Sequence, residues 1–148
     1  IYKSTQSLRR TTMSKRHYET PIHVKYRDTD SMGHVSSPVY YDYLQHSYLS
    51  YMFDLLGLPR SEKLPHIMVK TQCEYLAPAQ FGDNLTIRSS IVRFGSKSFD
   101  LEHLMERDDQ TIVARGMSTH VMFDYANNTT QAVPDEFKAR VLEFQGSL

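Results

Sequence analysis

Ser37-Pro38-Val39-Tyr40-Tyr41-Asp42-Tyr43-Leu44-Gln45-His46-Ser47-Tyr48-Leu49-Ser50-Tyr51-Met52-Phe53-Asp54-Leu55-Leu56 is the run that decides the architecture. Tyr40, Tyr43, Leu44, Tyr48, Tyr51, Met52, Leu55 and Leu56 recur at spacings of three and four, the period of one helical face. Ser37 is a favourable N-cap, Pro38 suits the first helical position, and Gly57 and Pro59 supply a stop. The spacing predicts a helix over about 38–56. A face this long and aromatic must be buried, and the rest of the chain says against what.

On its N-terminal side, Pro21–Arg27 alternates, with Ile22, Val24 and Tyr26 on one side and His23, Lys25 and Arg27 on the other, as in a half-buried strand. The polar run Asp28-Thr29-Asp30-Ser31-Met32-Gly33 then reads as a loop. After residue 66 four strands are expected: about Ile67–Leu76, a second through Leu85, Ile87, Ser89 and Ile91, a third through Phe99, Leu101, His103 and Met105, and a long last one from Thr111 to Phe123. Pro78 with Gly82-Asp83, then Gly95-Ser96, then Asp108-Asp109-Gln110 mark the turns, and turns this short imply antiparallel pairing. Pro134 opens a short terminal helix with Phe137, Val141 and Phe144 on one face. The expected fold is therefore α+β, a five-stranded antiparallel sheet wrapped around one long helix.

With 148 residues the chain holds one domain. The expected domain spans residues 17–148. Residues 1–16 form a basic extension with five Lys or Arg and no acid, read as flexible or as derived from an expression vector or an extended reading frame, Met13 being the natural start. Lys plus Arg equals Asp plus Glu at 17 each, a balance that argues against a nucleic-acid binder. No apolar run is long enough to span a bilayer. The single cysteine, Cys73, cannot form an intrachain disulfide, which fits a reducing, cytoplasmic setting. The seven histidines show no H-E-x-x-H or other tight ligand spacing, so neither a metal nor a cofactor is expected.

The loop and helix entry, Tyr26-Arg27-Asp28-Thr29-Asp30-Ser31-Met32-Gly33-His34-Val35-Ser36-Ser37-Pro38-Val39-Tyr40, resembles the signature of the 4-hydroxybenzoyl-CoA thioesterase family of hotdog-fold proteins. That signature carries an Asp, two variable residues, a Gly, and a Tyr just inside the long helix, here Asp30, Gly33 and Tyr40. Glu74–Asp83 and Arg93–Phe99 resemble the family's next two turns, so the likeness runs over about residues 20–143. Ser36-Ser37 departs from the Asn residues that many relatives carry there.

The resemblance implies an acyl-CoA thioesterase with Asp30 as its catalytic carboxylate and the backbone N–H of Ser37 as oxyanion donor; Pro38, lacking an N–H, cannot serve. It also implies that Tyr40 and Lys97 touch substrate, Lys97 near the CoA phosphates, with Arg93 a weaker choice, and that the chain forms homodimers or homotetramers whose sites lie between subunits. The residues themselves allow Asp30 to act as nucleophile or general base beside a helix N-terminus that favours negative charge. His34 is placed to orient water or touch the acyl group, and Gly33, counted with it among the substrate-binding residues, serves the turn. Asp28 reads as a turn residue. Hotdog enzymes that use a helical Glu are a poorer match, because this helix carries only Asp42 and Asp54. The partner is an acyl-CoA or acyl-carrier-protein thioester. Two alternatives stay open: a non-hydrolytic acyl-CoA-binding hotdog protein, and a hotdog hydratase or dehydratase.

Overall fold

The computed structural model describes residues 15–148. In chain order these form β1 (Tyr18–His23), a 3-10 turn (Tyr26–Asp28), α1 (Ser37–Leu56), β2 (His66–Tyr75), β3 (Asn84–Phe94), β4 (Ser98–Arg107), β5 (Ile112–Asp124), β6 (Thr129–Thr130) and α2 (Asp135–Gln145). The sheet runs β1-β3-β4-β5-β2, with β6 attached to the end of β5. Every pairing is antiparallel. The five expected strands and the long helix form the hotdog arrangement, and the short β6 is an addition to it. The expectation for residues 1–14 falls outside the described residues; Lys15 and Arg16 are described, and Arg16 is docked, its N–H donating to the Gln145 carbonyl at 2.9 Å.

Two boundaries differ from the sequence reading. The first strand lies at Tyr18–His23, not Pro21–Arg27. The chain leaves the sheet after His23, and the Lys25 N–H closes the 3-10 turn on the Asp28 carboxylate at 3.0 Å. Val24 is buried, but Tyr26 is 76% exposed instead of sharing that face. Pro21 is tolerated inside β1 because β1 is an edge strand, where a missing N–H costs no ladder bond. The second difference is at the helix entry: Ser36, not Ser37, is the N-cap, and Ser37 is the first helical residue.

α1 lies across the sheet with Tyr40, Tyr43, Leu44, Ser47, Tyr48, Tyr51 and Met52 buried. Each large apolar side chain so buried contributes about 1.5–3 kcal/mol, so the helix is held mainly by this face. The core divides into two clusters. One gathers around the first turns of α1, with Val24, Val35, Tyr40, Leu44, Leu85, Ile87, Met105 and Val113. The other gathers around its last turns and α2, with Tyr48, Tyr51, Met52, Phe99, Leu101, Met122 and Phe137. Between them, on successive elements, lie Thr20, Ser47, Ser89, His103 and Ser118, all buried. Thr20 Oγ1, Ser47 Oγ, Ser89 Oγ and His103 Nδ1 are joined in a chain by contacts of 3.1, 2.7 and 2.7 Å.

On β5 the side facing α1 carries Gly116, Ser118, His120 and Met122, while Met117, Val121 and Phe123 lie half-buried on the other side. β2 is the opposite edge strand. A register shift between Met68 and Lys70 interrupts its alternation, and Ile67, Val69 and Tyr75 are exposed. Among the described residues no helix is long and apolar enough to cross a membrane.

Candidate active site

The loop between β1 and α1 is closed by short-range bonds. The Asp30 N–H donates to the His34 carbonyl (2.8 Å) and the Gly33 N–H donates to the Asp30 carbonyl (3.0 Å). The Met32 N–H donates to Asp30 Oδ1 at 2.9 Å. Gly33 has φ +79°, a left-handed conformation that strains any residue with a side chain. The loop is then stitched to the turn after β2: His34 bridges Gln80, and the Val35 N–H donates to the Ala79 carbonyl at 2.7 Å. α1 starts two residues later.

These constraints bring Asp30, His34, Ser37 and Tyr40 to one open cleft of about 430 Å³, whose other wall is Tyr75, Leu76, Ala77 and Pro78. Asp30 is exposed. One of its carboxylate oxygens is held by Met32, and among the described residues Oδ2 has no partner. Ser37, as the first helical residue, has no acceptor one turn back, and its N–H makes no backbone bond among the described residues. Asp30 and Ser37, a carboxylate residue and the first residue of the helix, thus line the same space. Gly33 shapes the turn without lining the cleft.

Tyr75 was not singled out by the sequence. Its hydroxyl donates to the Ser37 carbonyl at 3.2 Å, and its ring meets that of Tyr40 edge-on at 5.1 Å. Its place in an alternating strand was the only signal, and alternation does not report which edge of the sheet meets the helix N-terminus. Tyr40 is buried, and burial raises its hydroxyl pKa. Lys97 is not brought to this cleft within one chain. It precedes β4 at the end opposite Arg107, with Nζ 3.5 Å from Thr130 Oγ1. Arg93 is engaged with Asp100 at 2.7 Å.

Asp28 does not line the cleft. Burial alone would raise its carboxyl pKa, but the Tyr43 hydroxyl (2.7 Å), the Lys25 N–H and the charges of Arg27 and Lys25 outweigh this and hold it below the usual carboxylate range. Cys73 is half-buried, and burial followed by the Glu74 charge pushes its thiol up to about 11, unlike a nucleophilic cysteine. Among the described residues no three His, Cys, Asp or Glu side chains group closely enough to hold a metal.

The sequence profile described as the thioesterase-like superfamily matches residues 24–141. A gentisyl-coenzyme A thioesterase, BH1999, is 29% identical, with a TM-score of 0.72 over 82% of this chain and 99% of that one. A thioesterase from Thermus thermophilus, solved with coenzyme A and Zn, has a TM-score of 0.79 at 22% identity, over 88% of this chain and 95% of that one. A 1,4-dihydroxy-2-naphthoyl-CoA thioesterase from Synechocystis has a TM-score of 0.73 at 17% identity, over 85% and 96%. The last two show the fold alone. No curated protein sequence matches the chain. The profile covers most of the chain, from the end of β1 into α2, and the chain therefore belongs to the thioesterase-like superfamily as a thioester hydrolase.

Proposed function

We propose that the protein hydrolyses an acyl-CoA thioester in the cleft between Asp30 and the start of α1. The observation that carries this reading is that one cavity is lined by two residues, each with a group that has no partner among the described residues: Asp30, with Oδ2 free, and Ser37, with its N–H free. The substrate carbonyl oxygen sits against the Ser37 N–H, where the helix terminus stabilises the developing negative charge. In one route Asp30 takes a proton from water, and the water oxygen attacks the carbonyl carbon. The C–S bond then breaks, the acid is released, and the thiolate leaves and takes up a proton. In the other route an Asp30 carboxylate oxygen attacks the carbonyl carbon, the C–S bond breaks and the thiolate leaves and takes up a proton, and water then hydrolyses the acyl-aspartyl anhydride to the free acid and the Asp30 carboxylate. Tyr40 and Tyr75 wall the acyl group, and His34 contacts it or the water.

The exposed β2 edge, with Ile67, Val69 and Tyr75, supports an edge-to-edge homodimer, further stacked as a tetramer. Lys97 then contacts CoA phosphates only across such an assembly, since it is remote from its own chain's cleft. The gentisyl-coenzyme A relative, at 29% identity, favours coenzyme A over a carrier protein as the thiol. The gentisyl-CoA relative favours an aryl acyl group within the 4-hydroxybenzoyl-CoA-like branch. The setting is cytoplasmic, with Cys73 as a free thiol.

The test is thiol release from aryl, short branched, medium and long acyl-CoAs, in wild type and Asp30→Asn. Turnover that falls by about 10²–10⁴-fold in Asp30→Asn, with folding and oligomer intact, supports the reading. Turnover that survives the substitution removes Asp30 from the mechanism. Tight acyl-CoA binding without thiol release moves the protein to the non-hydrolytic class, and hydration of an enoyl-CoA moves it to the hydratases.

A further inference from the structure

Asp28 lies outside the cleft, yet it ties the Asp30 loop to the helix in two places. Its backbone carbonyl accepts the Ser36 N–H at 2.9 Å, one residue before the oxyanion donor. Its carboxylate accepts the Tyr43 hydroxyl at 2.7 Å, from the buried face of α1. Ser36 is the N-cap and Tyr43 lies about two turns into α1, so both ties run to the N-terminal part of the helix. A residue needed only to close the 3-10 turn would require the Lys25 N–H and nothing more; the bond from Tyr43 spans fifteen residues and adds nothing to that turn.

We infer that Asp28 and Tyr43 form a positioning pair that sets the Asp30 carboxylate against the Ser37 N–H. This rests on the thioesterase reading above. Asp30 is two residues beyond Asp28 and is otherwise held by bonds inside its own turn, 30–34, by the Thr29–Val35 bridge that flanks it, and by that turn's pairing with Gln80 and Ala79. Without the Tyr43 bond the turn keeps its shape but pivots relative to α1. The donor of the pair is the phenol: burial, and next the bond to Asp28, raise the Tyr43 pKa, while Asp28 is kept ionised. The bond is therefore charge-assisted, the stronger class of hydrogen bond. Neither residue lines the cleft.

The experiment uses Tyr43→Phe, Asp28→Ala, Asp28→Asn and the Tyr43→Phe/Asp28→Ala double variant in the full chain. Expected is a fall in kcat of about 10–100-fold for Tyr43→Phe and Asp28→Ala, since small misplacements of reacting groups cost rates of this size. KM should stay within about twofold, as for a group acting only on the transition state. The double variant should be no worse than either single one, and Asp28→Asn, which keeps an acceptor for Tyr43, should recover most of the rate. Wild-type kcat in both single variants, or a multiplicative double variant, overturns the proposal.

Amide hydrogen exchange gives a readout independent of turnover. Tyr43→Phe should speed exchange over Asp30–Ser37 and leave Tyr48–Phe53 protected. Unchanged loop exchange overturns the proposal even for a protein that turns over no acyl-CoA. Loss of turnover in Asp30→Asn with unchanged kcat in Tyr43→Phe would instead keep the thioesterase reading and discard only the pair.

Discussion

The hydroxyl of Tyr48 lies 2.6 Å from Nδ1 of His66, a polar contact made wholly inside the apolar core. The His66 ring is also edge-on to Phe99 at 5.0 Å and 6.0 Å from the ring of His120. His120 stacks between Tyr48 (4.0 Å) and Phe99 (5.2 Å) and reaches Ser118 Oγ through Nε2 at 2.8 Å. His103 meets Ser89 on the neighbouring strand. One ring nitrogen of each histidine has no partner among the described residues.

These three histidines make folding acid-sensitive. Burial lowers His66 and His103 to about 4; burial and then the other two histidines lower His120 to about 3, against a small raising effect from Asp100. In the unfolded chain they titrate near 6.5, so below that pH the unfolded state binds protons the folded state refuses. Their contribution is complete above about pH 6.5 and is lost as pH falls toward 4, by about 1.4 kcal/mol per histidine per pH unit. Urea midpoints should be flat from pH 7 to 8 and fall steeply from 6 to 4. His120→Phe should make that fall shallower by about one proton's worth. An unchanged slope would mean His120 is already charged in the folded protein.

Gln145, on α2, takes over where β1 ends. β1 pairs with β3 as far as Tyr18–Ser89, and two residues along, the Ile91 N–H donates to Gln145 Oε1 (2.7 Å) while Gln145 Nε2 donates to the Ile91 carbonyl (3.0 Å). Tyr51 donates its hydroxyl to the same Oε1 at 2.7 Å. Gln145→Ala leaves these buried groups unpaired and should cost about 2–4 kcal/mol by chemical denaturation. A loss below about 0.5 kcal/mol would mean water replaces the amide.

Gly116 leaves room on β5 for Leu44 of α1. A Cβ there would lie 2.6 Å from Leu44 Cδ1 and 2.9 Å from Cδ2. Leu44 is itself buried, so it has little room to yield. Gly116→Ala should destabilise by about 1–3 kcal/mol through overpacking. Adding Leu44→Val should cost less than the sum of the two single changes. Strict additivity would show that the clash is relieved elsewhere.

Cys73 should be a slow thiol. With its pKa pushed up to about 11, chiefly by burial, little thiolate is present near neutrality. Alkylation of native protein at pH 7.5 should run about 10–100-fold slower than in denaturant. Equal rates would mean that the β2 edge opens freely.

The helix, the strands and their antiparallel order were readable because each rests on local periodicity. Tyr40 to Leu56 repeat at helical spacing, and Leu85 to Ile91 and Phe99 to Met105 alternate. Tyr26 misled because the alternation continues past His23, whereas the bond from Lys25 to Asp28 ends the strand. On β5 the hydrophobic residues do not mark the helix-facing side. That side carries Gly116, which leaves room for Leu44, and His120, which stacks on Tyr48.

The sequence by itself determined the local elements and membership of the thioesterase-like superfamily. These depend on backbone preferences and on side-chain periods that operate over a few residues. Only the tertiary structure decided that Tyr75 closes the cleft over Ser37, that Asp28 is tied to Tyr43, that Gln145 completes β3, and that three histidines share a core. Each of these contacts joins residues far apart in the chain, and their partners are fixed by how the sheet curves around α1, a geometry that no short stretch of sequence encodes.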